Sequence, residues 1–513
     1  MNLSSRAKKY IIETICLLYI FLFVYASASK LLDFQHFRIE LGQSPLLSAF
    51  ANWISILVPA MELIICLLLI IPRFKLIGLF SSYGLMVMFT IYIYIILNYT
   101  SFVPCSCGGV LEKLDWKTHM IFNIFFVCLA ILGIILFVGE IKINSYRFKI
   151  RKIIGLFTVV TLSSILAVVI LFMLSENIIH YHNKLTRRFP QTPIEQQVVL
   201  DLKLNSFYIA GVDSLNIYLG NSTAPLLITT FTNQFIKKNE KMIDLDRKDL
   251  PFRGIRVSVK SPYFFAADGT VPCLFKGNIK DWKAKLMHKG GEYFTTMLAV
   301  DSLSVAVVAN DSKTGDNVLG INSGAEMDKT FLNSGILHKQ SDGVFDTDGF
   351  LLYSKDIDRI VYLYTYRNQY TITDRNLKIT GNGTTIDTIS RAKLNISQDK
   401  KHGVRQFSSP PLFVNKGSAV YANILFVNSA IPGRYENDRI WKEASIIDVY
   451  DLNDNSYLLS FCIYNLEGRR MKSFTVQNDN LYALIGTHII RYKIDSKITS
   501  KYNKNKRNNL LAK

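Results

Sequence analysis

Residues 153–175 read IIGLFTVVTLSSILAVVILFMLS, an unbroken apolar run without a charged side chain. As a helix rising 1.5 Å per residue it would cover roughly 34 Å, and the hydrocarbon core of a bilayer is about 30 Å thick. The run marks a change of character in the chain. Before it lie four more runs of similar length, near 10–29, 52–72, 76–98 and 118–139. After about residue 195, β-branched and aromatic residues alternate with polar ones, the pattern of half-buried strands. The 513 residues, 49% of them hydrophobic, therefore divide into a membrane part and a globular part.

The net charge of +19 does not point to nucleic acid. Many basic residues flank the apolar runs (Arg6, Lys8, Lys9; Arg73, Lys75; Arg147, Lys149, Arg151, Lys152), and others gather in a polar tail at 499–513. No basic stripe with interleaved aromatics appears, so no nucleic-acid partner is expected. The basic flanks act as topology signals. They set the N-terminus, the PRFK turn at 72–75 and the segment 141–152 on the cytoplasmic side. Segments 30–51 and 99–117 and everything after 176 then face the periplasm of a bacterial inner membrane. The first run, with its basic start and its Ala-Ser-Ala ending, also has the form of a secretory signal peptide. Its long core and the four spans that follow favour a retained helix.

Two ionisable residues stand out in the membrane part. Glu62 lies inside VPAMELIICLLLI, roughly 15 Å from the outer end of its run. A carboxyl at that depth must be neutral, paired or wet, which makes it a functional candidate. A protonated carboxyl bonded to a neighbouring helix is the plainer reading. Lys30, at the outer end of the first run, reads as a side chain that snorkels to the interface.

The stretch 102–110, FVPCSCGGV, places Cys105 and Cys107 one residue apart at the outer mouth of the runs. Side chains two positions apart in an extended chain point the same way, and a disulfide between them would close a small, strained and readily reduced ring. A metal clip is the main competitor, with His119 as a further ligand, but zinc wants four ligands and no second pair follows. A bare loop is the third reading. The residues alone leave all three open. Cys16, Cys66 and Cys128 lie in apolar runs as small packing residues, and Cys273 and Cys462 stand alone in the second part.

Three stretches together resemble a known family: FVYASASKLLDFQHFRIELGQSPLL, LVPAMELIICLLLI and VPCSCGGVLEKLDWKTHMIFNIFFVCLAILGI. The Ser-Lys after the first helix, the Pro-x-x-Glu in the second and the Cys-x-Cys-Gly-Gly loop, in that order, are similar to the MauE branch of the DoxX-like membrane proteins. The likeness covers roughly residues 10–140. It implies a four-helix transmembrane bundle associated with periplasmic disulfide formation, related in outline to the vitamin K epoxide reductase type. It further implies that Cys105 and Cys107 are a redox pair, with Glu62 and Lys30 at family-pattern positions. The fifth span and the large second domain depart from that pattern.

In the second part a loose refrain recurs, as in FYIAGVDSLNIYLG, FDTDGFLLYSKDIDRIVYLY and FTVQNDNLYALIGTHIIRYKID. Each unit is a strand, a turn built on Asp, Gly or Asn, and a second strand, at a spacing near that of a four-stranded blade. A β-propeller of about six blades is expected, with a pair of sandwiches as the alternative. The Asp-rich turns read as blade turns rather than calcium sites, and no metal site or hydrolase signature is expected.

The expected organisation is a MauE-like bundle over 1–140, a basic loop and fifth helix over 141–176, a linker over 177–195, a propeller over 196–498 and a polar tail over 499–513. The expected function is thiol–disulfide oxidoreduction by Cys105 and Cys107. Glu62 would accept protons, a thioredoxin-like or client thiol protein would be the partner, and a membrane quinone is a candidate acceptor. The competing expectation is a non-enzymatic membrane-anchored sensor or scaffold whose propeller binds a ligand or an envelope protein.

Overall fold

The computed structural model describes residues 4–44, 46–99, 115–140, 146–323, 330–399, 404–434 and 436–502. Cys105 and Cys107 lie outside the described residues. The fold class expected from the sequence is observed: five long apolar helices followed by a sheet-rich propeller. By their contacts, Met1–Gln191 with Arg434–Glu436 form one compact unit, and the remaining residues form a second.

The membrane unit contains α1 (Ser5–Leu32), α2 (Phe34–Gln43), α3 (Ala51–Ile70), α4 (Lys75–Tyr99), α5 (Trp116–Glu140) and α6 (Tyr146–Tyr181). All but α2 are long and apolar enough to span a bilayer. Their buried residues recur every three or four positions. Ile12, Ile15, Tyr19 and Phe23 of α1 meet Phe126, Ala130 and Ile134 of α5, Ile65 and Leu69 of α3, and Leu79, Tyr83 and Met86 of α4. The opposite faces are equally apolar but exposed, as at Phe21, Trp53, Leu57, Ile121 and Ile135. A helix apolar on every face is stable where its solvent is lipid. A side chain at Gly133 would sit 3.3 Å from Ile15 and 3.4 Å from Leu79, so glycine there lets three helices meet closely. α6 packs on α4, where Tyr83 and Thr161 share a 2.7 Å hydroxyl hydrogen bond.

The sequence places 30–51 between the first two apolar runs, on their outer side. The structure folds part of it into α2, whose Phe37 and Leu41 pack on Ala51 and Ile54. Ten residues give too short a periodic signal to be read alone. The cysteine readings are adjusted as well. Cys16 and Cys66 are buried in the bundle, but Cys128 is on its exterior. Cys273 and Cys462 belong to different sheets and are free thiols.

The propeller has six blades. Their innermost strands are Phe207–Val212, Arg256–Lys260, Phe294–Ala299, Gly349–Ser354, Asn415–Tyr421 and Met471–Gln477. Each touches the next, and the last touches the first, which closes the ring. The sixth blade is completed by the first strand of the domain, Ile194–Asp201, pairing antiparallel with the last, His488–Ile494. This tie joins the two ends of the domain and leaves no open gap between its first and last blades. A small hairpin, Ile396–Asp399 with Val404–Phe407, is inserted between the fourth and fifth blades.

The Asp of the refrain acts on its own backbone. Asp213 accepts from the N–H of Leu215 and Asn216 at 2.8 Å, and Asp301 accepts from Leu303 and Ser304 at the same distance. In FDTDGF, the buried Asp346 accepts from the N–H of Ser341 at 2.7 Å and of Gly343 at 2.6 Å. These carboxylates satisfy turn donors that would otherwise be lost on burial.

Asp268 of the second blade is the best-served example. It accepts from the N–H of Arg253 (2.6 Å), Gly254 (2.7 Å), Thr270 (3.0 Å) and Val271 (3.2 Å), and from the Thr270 hydroxyl (2.8 Å). Burial raises its pKa, but these donors outweigh it and hold the carboxyl below the usual carboxylate range. Its contribution to stability is therefore full above about pH 4 and is lost as pH falls through the lower folded-state value. Asp268→Ala should cost about 2–3 kcal/mol at neutral pH, and the gap from the parent protein should narrow towards pH 3. Thermal unfolding followed by tryptophan fluorescence, to which Trp282 of the same blade contributes, checks both.

Candidate functional site

Ser27 and Lys30 are three residues apart in α1 and so share one face of the helix. That face meets α3 at Pro59 and Glu62, also three apart. The Lys30 ammonium donates to Glu62 Oε1 at 2.6 Å. The Ser27 hydroxyl lies 2.8 Å from Glu62 Oε2 and 3.3 Å from the Pro59 carbonyl. Both carboxylate oxygens are thus engaged, and Glu62 is fully buried. Lys30 does not extend to the membrane surface as its position in sequence suggested. It turns inward to the carboxylate, with its side chain 14% exposed, and passes 5.9 Å from the Phe37 ring of α2.

The reason is electrostatic. A carboxylate among apolar side chains costs several kcal/mol if left alone, and an ammonium one helix away compensates it. Glu62 is thus paired to the neighbouring helix through both an ammonium and a hydroxyl.

Through Lys30 and Glu62 the end of α1 meets the middle of α3. On the first turn of α5 the His119 ring stacks on Trp116 at 6.3 Å. In the sequence, residues 100–114, which carry Cys105 and Cys107, lie between α4 and α5. The cysteines themselves lie outside the described residues. At the opposite end a second ion pair, Lys75 with Glu13, ties α4 to α1.

Below the ion pair, Tyr19, Phe23, Phe122 and Phe126 form an aromatic layer with ring separations of 4.8–5.5 Å. The Tyr19 hydroxyl donates to the Phe126 carbonyl. Asn123, between Phe122 and Phe126 on α5, is buried. Neither Ser27 nor Asn123 was singled out from the sequence. The available signal was spacing: Ser27 precedes Lys30 by one turn, and Asn123 follows His119 by one turn. In the propeller, among the described residues, no three His, Cys, Asp or Glu side chains gather as metal ligands.

Residues 8–136 match the family model described as methylamine utilisation protein MauE. No curated protein matches the chain. Among solved structures, a catalytically inactive virginiamycin B lyase from Staphylococcus aureus is similar at 9% identity, with 59% of this chain and 100% of that one covered and a TM-score of 0.37. A member of the duf4221 family from Bacteroides vulgatus is similar at 12% identity, 60% and 99% coverage and a TM-score of 0.36. BamB from Moraxella catarrhalis is similar at 10% identity, 59% and 100% coverage and a TM-score of 0.31.

Lys30→Met should destabilise the membrane unit by roughly 3 kcal/mol, because it leaves a buried carboxylate without its cation. Lys30→Met with Glu62→Leu should recover most of that loss. Thermal unfolding of the full chain in lipid nanodiscs measures both, and a double variant no better than the single one would mean the pair is not coupled.

Proposed function

We propose that this chain, a MauE-family membrane domain followed by a six-bladed propeller, is a bacterial inner-membrane thiol–disulfide oxidoreductase. In this reading Cys105 and Cys107 face the periplasm and cycle between dithiol and disulfide through a mixed disulfide with a client or thioredoxin-like protein. The observation that carries it is the Ser27–Lys30–Glu62 cluster. It is a buried acid and base joining α1 to α3 in the same family-matched region that contains the Cys-x-Cys sequence.

A thiol must lose its proton before it attacks a disulfide, and the thiolate is favoured beside a cation. Glu62 provides the acceptor for that proton and Lys30 the cation. Ser27 holds the second carboxylate oxygen and keeps Glu62 aimed at Lys30. The propeller, whose carboxylates serve its own turns, recruits the partner protein, and the basic flanks of the helices support a cytoplasmic N-terminus.

Thiol trapping in native membranes tests the proposal. Alkylation with a mass-tagged maleimide should find Cys105 and Cys107 partly oxidised in the parent protein. Cys105→Ser or Cys107→Ser should accumulate a mixed disulfide identifiable by mass spectrometry. Glu62→Gln should slow exchange tenfold or more while leaving the thiols present. Thiols that stay fully reduced, together with full function in the double serine variant, would falsify the redox reading and leave a membrane-anchored scaffold.

A further inference from the structure

Arg187 and Arg367 are both buried, yet only Arg187 has a counter-ion among the described residues, Glu436 at 3.0 Å. Arg367 is 0% exposed and among the largest side chains that the fold encloses completely. It lies in the turn between the second and third strands of the fourth blade, Arg359–Tyr364 and Gln369–Thr373. Its Nη2 donates to the His338 carbonyl at 2.6 Å, and the guanidinium stands 3.6 Å from the centre of the Tyr364 ring. Its Nε and Nη1 have no partner among the described residues.

Neither contact brings a negative charge. A carbonyl and an aromatic face offset part of the desolvation of a guanidinium. A buried cation without a counter-ion is still costly, and arginine is almost never enclosed unless it is paired. The turn itself is held from the next blade. Asn415, at the start of the inner strand of the fifth blade, donates through Nδ2 to the carbonyls of Tyr364 (2.8 Å) and Arg367 (3.1 Å). The backbone that carries the guanidinium is therefore fixed, while its donors stay unmet. The Oδ1 atoms of Asn368 and Asn415 also lack partners among the described residues. Water can serve those neutral oxygens, but it cannot balance a charge.

We infer that Arg367 is the centre of an anion site in the propeller, where a small monovalent anion, a halide or a simple carboxylate, accepts from the guanidinium N–H groups. One negative charge matches the one positive charge, and the enclosure of Arg367 keeps the ligand small. The anion neutralises a turn at which three blades come together. His338 reaches it from the connection between the third and fourth blades, and Asn415 from the fifth. The site is independent of the thiol chemistry of the membrane unit.

The experiment follows thermal unfolding of the full-length protein in lipid nanodiscs by circular dichroism of its β-sheet signal. Sodium chloride, sodium formate and sodium gluconate are compared at equal ionic strength, gluconate being too large for an enclosed site. The parent midpoint should rise by at least about 3 °C in chloride or formate over gluconate. The rise should saturate with concentration, as binding to the folded state alone requires. The anion with the lower half-saturation concentration tells halide from carboxylate. Arg367→Met should lose this dependence, and in gluconate its midpoint should equal or exceed the parent's, because a buried unpaired cation is gone. Arg367→Lys, which keeps the charge, should retain the dependence. A parent midpoint indifferent to the anion, or the same dependence in Arg367→Met, would mean that ordered water alone meets the guanidinium and would overturn the inference. An equal fall of the Arg367→Met midpoint in all three salts would overturn it too, since that is the mark of a side chain needed only for packing.

Discussion

A carboxylate cannot be left alone in hydrocarbon, and Glu62 makes the membrane unit obey that constraint. Glu62 sits in the interior of α3, where desolvation would cost several kcal/mol. Lys30 and Ser27 meet that demand from α1, and in doing so they fix which face of α1 meets α3 and at what height. Apolar side chains alone would not set this register, since the bundle surface is as apolar as its core and one leucine contact resembles another. The polar layer supplies the specificity that hydrophobic burial cannot supply in lipid. The Tyr19 hydroxyl on the Phe126 carbonyl does the same between α1 and α5.

The propeller answers a different constraint. Each blade is a small antiparallel sheet that buries its faces only against neighbouring blades, so an open array would leave two apolar faces wet. Closure by Ile194–Asp201 on His488–Ile494 removes them and makes the first strand of the domain essential to its last blade. Local rules recur around the ring. Gly220 lies across from Tyr208 and Gly383 across from Tyr370, and a Cβ at either glycine would come within 2.2 Å of the tyrosine ring. The same cross-strand solution therefore appears in the first and fourth blades.

How much of this could be read from the chain differs by element, for physical reasons. The five spans were legible because a bilayer demands about 20 apolar residues, a signal far longer than noise. The blades were legible because turn chemistry is local: Asp213 and Asp301 bond to N–H groups two and three residues on. Helix α2 was not legible, because ten residues carry too little periodicity. Lys30 was misjudged. Its place at a helix end favours snorkelling, and only the packing of α1 on α3 reveals a carboxylate within reach. Pairings across 32 positions depend on which helix faces meet, and one sequence does not state that. Asn123 was overlooked for the same reason, since its burial is a property of the α1–α5 contact.

The location of the pair bears on how it could work. An ammonium beside a carboxylate carries no net charge as a pair, which lowers the cost of holding either one at that depth. In the proposed exchange, moving a thiol proton to Glu62 makes a thiolate and frees Lys30 from its carboxylate in the same event. One anion replaces another as the partner of the same cation, so the total charge inside the apolar region does not change. A lone carboxylate could take the proton but would leave the thiolate unpaired, and a lone lysine could steady the thiolate but would have nowhere to send its proton. The two together satisfy both demands. Ser27, by holding the second carboxylate oxygen, fixes the orientation of the carboxylate towards Lys30.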